Sequence, residues 1–332
     1  MLREAQPRPT TPRAVLGEHE VSGTWDHGGV TTGLRIETTG HPGPERAAAV
    51  LRVVDAATEA DGVRPLSEHV LLHLRYGGAA HARDVLGYAG EELVAYAHLD
   101  LADPAAGAVA ELVVHPAHRR RGYGRALAER LLAESPGGRL RLWAHGNHPG
   151  ATKLATALGF RTVRELWRMR RSLDTPLPEV PVPPGVRIRA FVPGQDDAAW
   201  VALNARAFAS HPEQGRWTLE DLRTRMREPW FDPEGFFLAE RESDGRLVGF
   251  HWTKVHHEDE PIGEIYVLGV DPDAQGGGLG KALALVGLRH LRSRGLGAAM
   301  LYVEATNAPA IRVYEAMGFT HWDTDVMFQS AQ

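Results

Sequence analysis

The sequence predicts an α/β protein made of two copies of one unit, each a mixed sheet flanked by helices. Three observations carry this. A glycine-rich turn occurs twice, as Arg119-Arg120-Arg121-Gly122-Tyr123-Gly124 and as Gln275-Gly276-Gly277-Gly278-Leu279-Gly280. Each copy follows an apolar strand that ends in x-Pro, and each opens a helical run, Arg125-Ala126-Leu127 or Lys281-Ala282-Leu283. Strand-like and helix-like segments alternate in the same order in both halves, as an internal duplication would make them.

Residues 1–32 are rich in Pro, Thr, Gly and His without a steady period and read as a loose extension. The first unit spans 33–172. It opens with the alternating segment Gly33–Glu37, followed by a helix over Pro44–Thr58 and a strand pair, Asp84–Tyr88 and Leu93–Asp100. The apolar strand Ala110–Val114 enters the first glycine-rich turn. An amphipathic helix over 122–135, a strand at Leu140–Ala144 and a helix stopped by Gly159-Phe160 complete the unit with a final strand. Prolines at 176, 178, 181, 183 and 184 make 173–185 an extended linker. The second unit, 186–332, repeats the order. Gly185–Arg189 is its opening strand, Asp196–Phe208 a helix, and Phe236–Arg241 with Leu247–Val255 a hairpin turning at Ser243-Asp244-Gly245. Ile265–Val270 leads to the second turn, followed by a helix over 278–294, a strand at Ala298–Glu304 and a helix stopped by Gly318-Phe319.

The 332 residues carry a net charge of −5, without the basic excess that marks a nucleic-acid partner. There is no cysteine, so disulfides are excluded and a reducing cytoplasm is the expected setting. No apolar run approaches the ~20 residues of a membrane span, and no secretory signal pattern is present. His256-His257-Glu258-Asp259-Glu260 has no metal-site spacing and reads as a solvated loop, and no metal is expected.

A strand, a glycine-rich turn and a helix start together make an anion cradle. The glycines let N–H groups face a phosphate, and the helix N-terminus adds partial positive charge. A dinucleotide fingerprint does not fit, because Gly278-Leu279-Gly280 lacks the third glycine; a P-loop does not fit, because Lys281 is followed by Ala282.

The ordered set of strand, [Gln/Arg]-x-x-Gly-x-Gly, helix, strand, Asn-x-x-Ala, helix and Gly-Phe resembles the GNAT superfamily of acetyltransferases. The resemblance covers roughly 33–172 and 186–328. It implies tandem GNAT domains, each with a mixed, mostly antiparallel central sheet and a splayed parallel strand pair. It also implies acetyl-CoA as donor, its pyrophosphate on the turn. In the second half the implied cofactor contacts are Leu268, Gly269, Val270, Gln275, Gly276, Gly277, Gly278, Leu279, Gly280, Lys281, Asn307 and Arg312. In the first half they are Leu112, Val113, Val114, Arg120, Arg121, Gly122, Tyr123, Gly124 and Arg125. Arg119 belongs to the same basic run. Gly276-Gly277 departs from the family in standing where basic residues are common, which reduces side-chain help for the phosphates.

Within the superfamily, Ser210–Gly215, Phe250–Val255, Gly263–Val267 and Leu301–Ala305 are similar to the tandem branch that acetylates the cysteinyl amine of Cys-GlcN-Ins. That likeness implies Glu68, Glu213, Lys254, Glu264 and Tyr302 as acceptor contacts. Another small amine, an aminoglycoside or polyamine, stays open as acceptor, as does a non-catalytic acyl-CoA sensor. Amine acetylation needs a base, a polarised carbonyl and an acid for the departing thiolate. Glu264, just before the strand into the second turn, is the candidate base. Tyr314, four residues before Gly318, is the candidate acid. A backbone N–H near Leu268–Val270 would polarise the carbonyl. Superposing the motifs sets Ala108 opposite Glu264 and Ala155 opposite Tyr314. The second half is therefore expected to be catalytic. The first is expected to be structural, to contribute to the acceptor site, or to bind CoA without turnover. The protein is expected to act as a monomer.

Overall fold

Among the described residues, twelve strands of the computed structural model hydrogen-bond into one continuous sheet. Those residues are 33–77, 81–103, 105, 107–257 and 260–331, with 212 and 213 described by backbone alone. The extension read from 1–32 lies outside them. The first half supplies β1 (Leu34–Thr39), β2 (Ala82–Ala89), β3 (Glu92–Asp100), β4 (Ala108–Val114), β5 (Leu140–Ala144) and β6 (Arg161–Ser172). Its helices are α1 (Gly43–Asp61), α2 (Glu68–Tyr76), α3 (Tyr123–Glu134) and α4 (Pro149–Ala157). The second half supplies β7 (Val186–Ala190), β8 (Phe236–Arg241), β9 (Leu247–His256), β10 (Ile262–Val270), β11 (Ala298–Glu304) and β12 (Thr320–Gln329). Its helices are α5 (Asp197–Ala207), α6 (Pro212–Gly215), α7 (Leu219–Met226), α8 (Leu279–Ser293) and α9 (Ala308–Glu315).

The strand order is β1-β2-β3-β4-β5-β12-β6-β11-β10-β9-β8-β7. The last strand of each half therefore lies against the other half. β12 pairs with β5, β6 pairs with β11, and β6 and β12 run antiparallel at the centre. Backbone hydrogen bonds thus hold the halves together, although the sequence boundary falls in the proline-rich 173–185.

Among the described residues each half has one parallel pair, and each pair is short. β4 and β5 are in register only from Ala108↔Leu140 to Ala110↔Leu142. β10 and β11 are in register only from Gly263↔Ala299 to Ile265↔Leu301. Beyond those points the strands part, while β4 stays on β3 as far as Val114 and β10 stays on β9 as far as Val270. The second gap has an irregularity that the first lacks. The β9–β10 register shifts between Ile265 and Val267, leaving Tyr266 as the extra residue of a bulge, whereas β3–β4 pairs without a break. A bulge bends its strand and re-aims a side chain.

Helices cover both faces of each half. In the second, Trp200, Leu203 and Leu222 of α5 and α7 pack on Phe236, Phe250 and Trp252. On the opposite face, Leu285, Leu288 and Ile311 of α8 and α9 pack on Ile265, Leu301 and Val303. Burying each such side chain contributes about 1.5–3 kcal/mol relative to exposure. α8 lies so close to β9 that a Cβ on Gly287 would come within 2.1 Å of the His251 ring. α2 escapes the sequence reading because Val70, Leu71, Leu72, His73 and Leu74 are all buried, which erases a helical period.

Candidate active site

The two glycine-rich turns fold alike. Gly122 and Gly278 cap α3 and α8 at φ +87° and +81°. Two residues earlier, Arg120 and Gly276 take φ +64° and +87°. The sequence reads Gly276 as a lost basic side chain; at this left-handed position glycine is free of the strain that Arg120 bears in the first turn. A Cβ on Gly276, Gly277 or Gly278 would meet nothing within 4 Å. The N–H groups of the first α8 turn receive no side-chain cap. Open space beside a helix N-terminus whose N–H groups receive no side-chain bond among the described residues fits a diphosphate.

Several expected cofactor residues can offer only their backbone. Tyr123, Leu279 and Val113 are buried in apolar cores, and a Cβ on Gly269 would strike Phe250 at 2.6 Å. Arg120, Arg121 and Arg125 are exposed on the first turn, and Gln275 on the second. Arg119 is not free for a phosphate. Its guanidinium makes two 2.7 Å bonds to Asp61 at the end of α1. Its Nε donates to the Val114 carbonyl, as Gln275 does to that of Val270. Leu112, Val114, Gly124, Leu268, Val270, Gly280 and Lys281 are half-buried along the strand ends and helix starts. Asn307 caps α9, accepting from Ala310 N at 3.2 Å, and Arg312 is exposed on that helix.

The sheet separates the two candidate proton-transfer groups. Ile265, Leu301 and Val303 face α8 and α9. Strand alternation therefore turns Glu264 and Tyr302 to the other face. Tyr314 lies on the helix side, edge-on to Phe319 at 5.9 Å. Burial raises its phenol to about 12. Between them, the β10–β11 pairing ends at Ile265 and Leu301, and the strands part just beyond.

On the Glu264 face, residues from both halves meet. Glu68, at the start of α2, accepts a 2.5 Å hydrogen bond from Lys254 Nζ on β9 and another from the Tyr266 hydroxyl. Arg225 donates to that hydroxyl at 2.9 Å, its guanidinium lying over Trp217. Lys254 sits 4.6 Å above the Trp230 ring, which packs against Trp252 in the aromatic core. Burial pushes the Glu68 carboxyl upward, but the Lys254 charge and the two hydrogen bonds outweigh it and hold the group below its ordinary value. At the far end of α2, Arg75 and Tyr76 bind Glu228 at 2.5 and 2.7 Å, so both ends of this helix are tied to the second half.

Glu264 is 5% exposed and stands directly across from Lys254 in the β9–β10 register. Its Oε2 is 2.6 Å from His256 Nε2. His256, expected in a solvated loop, is instead the last residue of β9. Tyr302 is half-exposed on β11. Burial of its hydroxyl, then the Glu264 and Asp325 charges, raise its phenol above the usual range. Glu68, Lys254, Glu264 and Tyr302 are thus gathered at one site. The backbone of Glu213 falls in α6, and its side chain lies outside the described residues. Tyr266, Arg225, Trp230 and His256 were missed. Tyr266 and His256 each lie two residues from a named candidate on the same strand, and strand alternation was the available signal.

In the first half, Ala108 and Ala155 are core residues, 2% and 4% exposed. Its own charged group is different. His145, just after β5, bonds Asp325 on β12 at 2.8 Å and lies 3.5 Å from Glu111 on β4. Burial opposes the imidazolium, but the two carboxylates outweigh it and lift His145 to about 10. Glu111 also accepts from the backbone N–H of Ser67, one residue before Glu68. A third buried cluster, His73, Asp84 and His98, brings donor atoms within 4.8 Å of one another. Asp84 there accepts from both histidines and from Tyr96, and against burial these bonds hold it at about 2. Three donors on one carboxylate account for the cluster as packing of α2 on β2 and β3.

A strand gap beside an anion cradle, with a buried carboxylate on one face and a phenol on the other, suits an acyl-CoA-dependent acetyltransferase. The chain belongs to the acetyltransferase (GNAT) family, whose model matches residues 54–160 and 200–319. Members of that family take acetyl-CoA as acetyl donor. Among individual proteins, the chain is 58% identical over 312 residues to the mycothiol acetyltransferase of Acidothermus cellulolyticus, covering 89% of this chain and 94% of that one. It is 55% identical over 334 residues to the mycothiol acetyltransferase of Streptosporangium roseum, covering 89% and 99%. Among solved structures, a GCN5-related N-acetyltransferase from Sphaerobacter thermophilus superposes with a TM-score of 0.62 at 26% identity, covering 89% and 95%. A tandem GNAT protein from the clavulanic acid biosynthesis pathway shares the fold, with a TM-score of 0.69 at 20% identity, covering 90% and 98%. No helix among the described residues is long and apolar enough to cross a membrane.

Proposed function

We propose that the protein is a mycothiol synthase, transferring the acetyl group of acetyl-CoA to the cysteinyl amine of Cys-GlcN-Ins in the cytoplasm, as a monomer. The observation that carries this is the acceptor face built from both halves, in which Lys254 is committed to Glu68 and Glu264 is left as the carboxylate without a permanent cation bonded to it. Relatives named mycothiol acetyltransferase, at 55–58% identity over 89% of the chain, support the choice of acceptor.

In this reading Glu264 takes the proton of the acceptor ammonium, leaving a neutral nucleophile. Glu68, Lys254, Tyr302 and Glu213 bind the polyhydroxylated acceptor across the halves. The second glycine-rich turn and the first turn of α8 hold the donor's diphosphate. Acetyl-CoA supplies an activated acyl group and a thiol leaving group. A backbone N–H between Leu268 and Val270 polarises the carbonyl. Tyr314, whose phenol holds its proton at any working pH, protonates the thiolate from the helix side of the gap. The first half lacks counterparts of Glu264 and Tyr314, and its own turn is proposed to hold a CoA that is not turned over.

The test is an acceptor screen with acetyl-CoA and the purified protein, comparing Cys-GlcN-Ins with aminoglycosides and polyamines. A kcat/KM highest for Cys-GlcN-Ins is expected. Preference for another amine would overturn the acceptor, and absence of turnover with every amine would overturn catalysis.

A further inference from the structure

We infer that His256 is a positioning residue for Glu264: it holds one carboxylate oxygen so that the other is presented to the acceptor amine. This rests on reading Glu264 as the base. The geometry is specific. His256 ends β9, two residues after Lys254 and on the same face of the strand, and its Nε2 lies 2.6 Å from Glu264 Oε2. An ionised carboxylate can only accept hydrogen bonds, so Nε2 carries the proton in this contact. Among the described residues Oε1 has no hydrogen-bond partner, and it is left for the amine.

The register shows why such a holder is needed. The residue directly across from Glu264 is Lys254, whose ammonium is bonded to Glu68. Glu264 released from His256 can swing to Lys254. That move would neutralise the base and take Lys254 from Glu68, disturbing both parts of the site at once. Tyr302 on β11, whose phenol the Glu264 charge helps to raise, keeps its proton and offers no competing charge. His256 is about a quarter exposed at the rim of the sheet, while the Glu264 side chain is 7% exposed. The imidazole can therefore be replaced without opening a core, and the carboxylate cannot turn to water without losing its place.

The test uses the full-length enzyme with acetyl-CoA and Cys-GlcN-Ins, and four variants: His256→Gln, His256→Leu, Glu264→Gln and the double variant His256→Leu/Glu264→Gln. Gln keeps an N–H donor near Nε2, and Leu keeps bulk without it. His256→Leu is expected to lower kcat by ~10- to 100-fold, the scale of a misplaced reacting group, with acceptor KM changed less than about threefold. His256→Gln is expected to restore kcat to within about fivefold of wild type. The double variant is expected to be no slower than Glu264→Gln, because His256 acts through the group already removed. Melting temperature, read in parallel, separates loss of fold from loss of position. Glu264→Gln slow with His256→Leu at the wild-type rate overturns the role of His256 alone. Glu264→Gln at the wild-type rate overturns the base reading. Multiplying defects in the double variant, or equal loss in the Gln and Leu variants, also overturns the positioning role.

Discussion

Replacing Gly280 by Asp puts a negative charge at the second helical residue of α8 without disturbing the fold. A Cβ there would meet only Val270 Cγ2, at 3.6 Å, which is ordinary contact. An acid in the first turn also complements the helix dipole, by about 0.3–1 kcal/mol. Stability should therefore hold or rise slightly. The effect on a bound diphosphate is opposite. Two unit charges about 5 Å apart at an effective dielectric near 20 repel by about 3 kcal/mol, and salt screening leaves about 2–3. That corresponds to a ~30- to 150-fold loss of CoA affinity. Calorimetric titration with CoA measures it, with Gly280→Ala separating the methyl from the charge and a thermal melt confirming the fold. The matching change in the first half is not as clean, because a Cβ on Gly124 comes within 3.3 Å of Leu154 Cδ2. Gly124→Asp should lower the melting temperature by a few degrees yet spare single-turnover acetylation. Wild-type CoA affinity and turnover in Gly280→Asp would refute the cradle. A loss of single-turnover rate in folded Gly124→Asp equal to that in Gly280→Asp would refute the division between halves.

Glu264→Gln should slow acetylation most at neutral pH and recover as pH rises, because more acceptor amine is then already neutral. Tyr314→Phe should lose ~10²–10⁴-fold with no such recovery; pH–rate profiles that run in parallel would contradict the two roles. The raised His145 imidazole should make stability depend on alkaline pH. A group lifted from its ordinary 6.5 to about 10 contributes fully below 6.5 and loses that contribution as pH climbs through 10. Wild-type melting temperature should accordingly fall between pH 6.5 and 10 more steeply than that of His145→Gln, and parallel declines would exclude His145 as the cause. Lys254→Met leaves Glu68 without its ammonium partner and should raise acceptor KM about tenfold or more, since a buried charge stripped of its partner typically costs several kcal/mol; an unchanged KM in steady-state kinetics would separate Lys254 from the acceptor.

Local sequence determined the elements whose chemistry is local. Gly122 and Gly278 cap helices in the left-handed region because only glycine enters it freely, and the segments before them are strands because apolar residues dominate them, interrupted only by Glu111 and Glu264. The matching order of both halves, the paired turns and the position of Glu264 ahead of the second turn follow from spacing along the chain. Tertiary structure alone decided which residues meet. Nothing near β12 or β6 states that each will lie against the other half, since pairing across about 160 residues depends on which edges are open once both sheets form. The bulge at Tyr266, the seizure of Arg119 by Asp61 and the commitment of Lys254 to Glu68 have the same origin. A charged side chain in a sequence has no fixed partner, and only burial, by removing water as the alternative, makes one contact prevail. His256 shows the difference most directly. In sequence it opens a run of polar residues; in the fold it ends a strand, with its imidazole on the carboxylate proposed to take the proton.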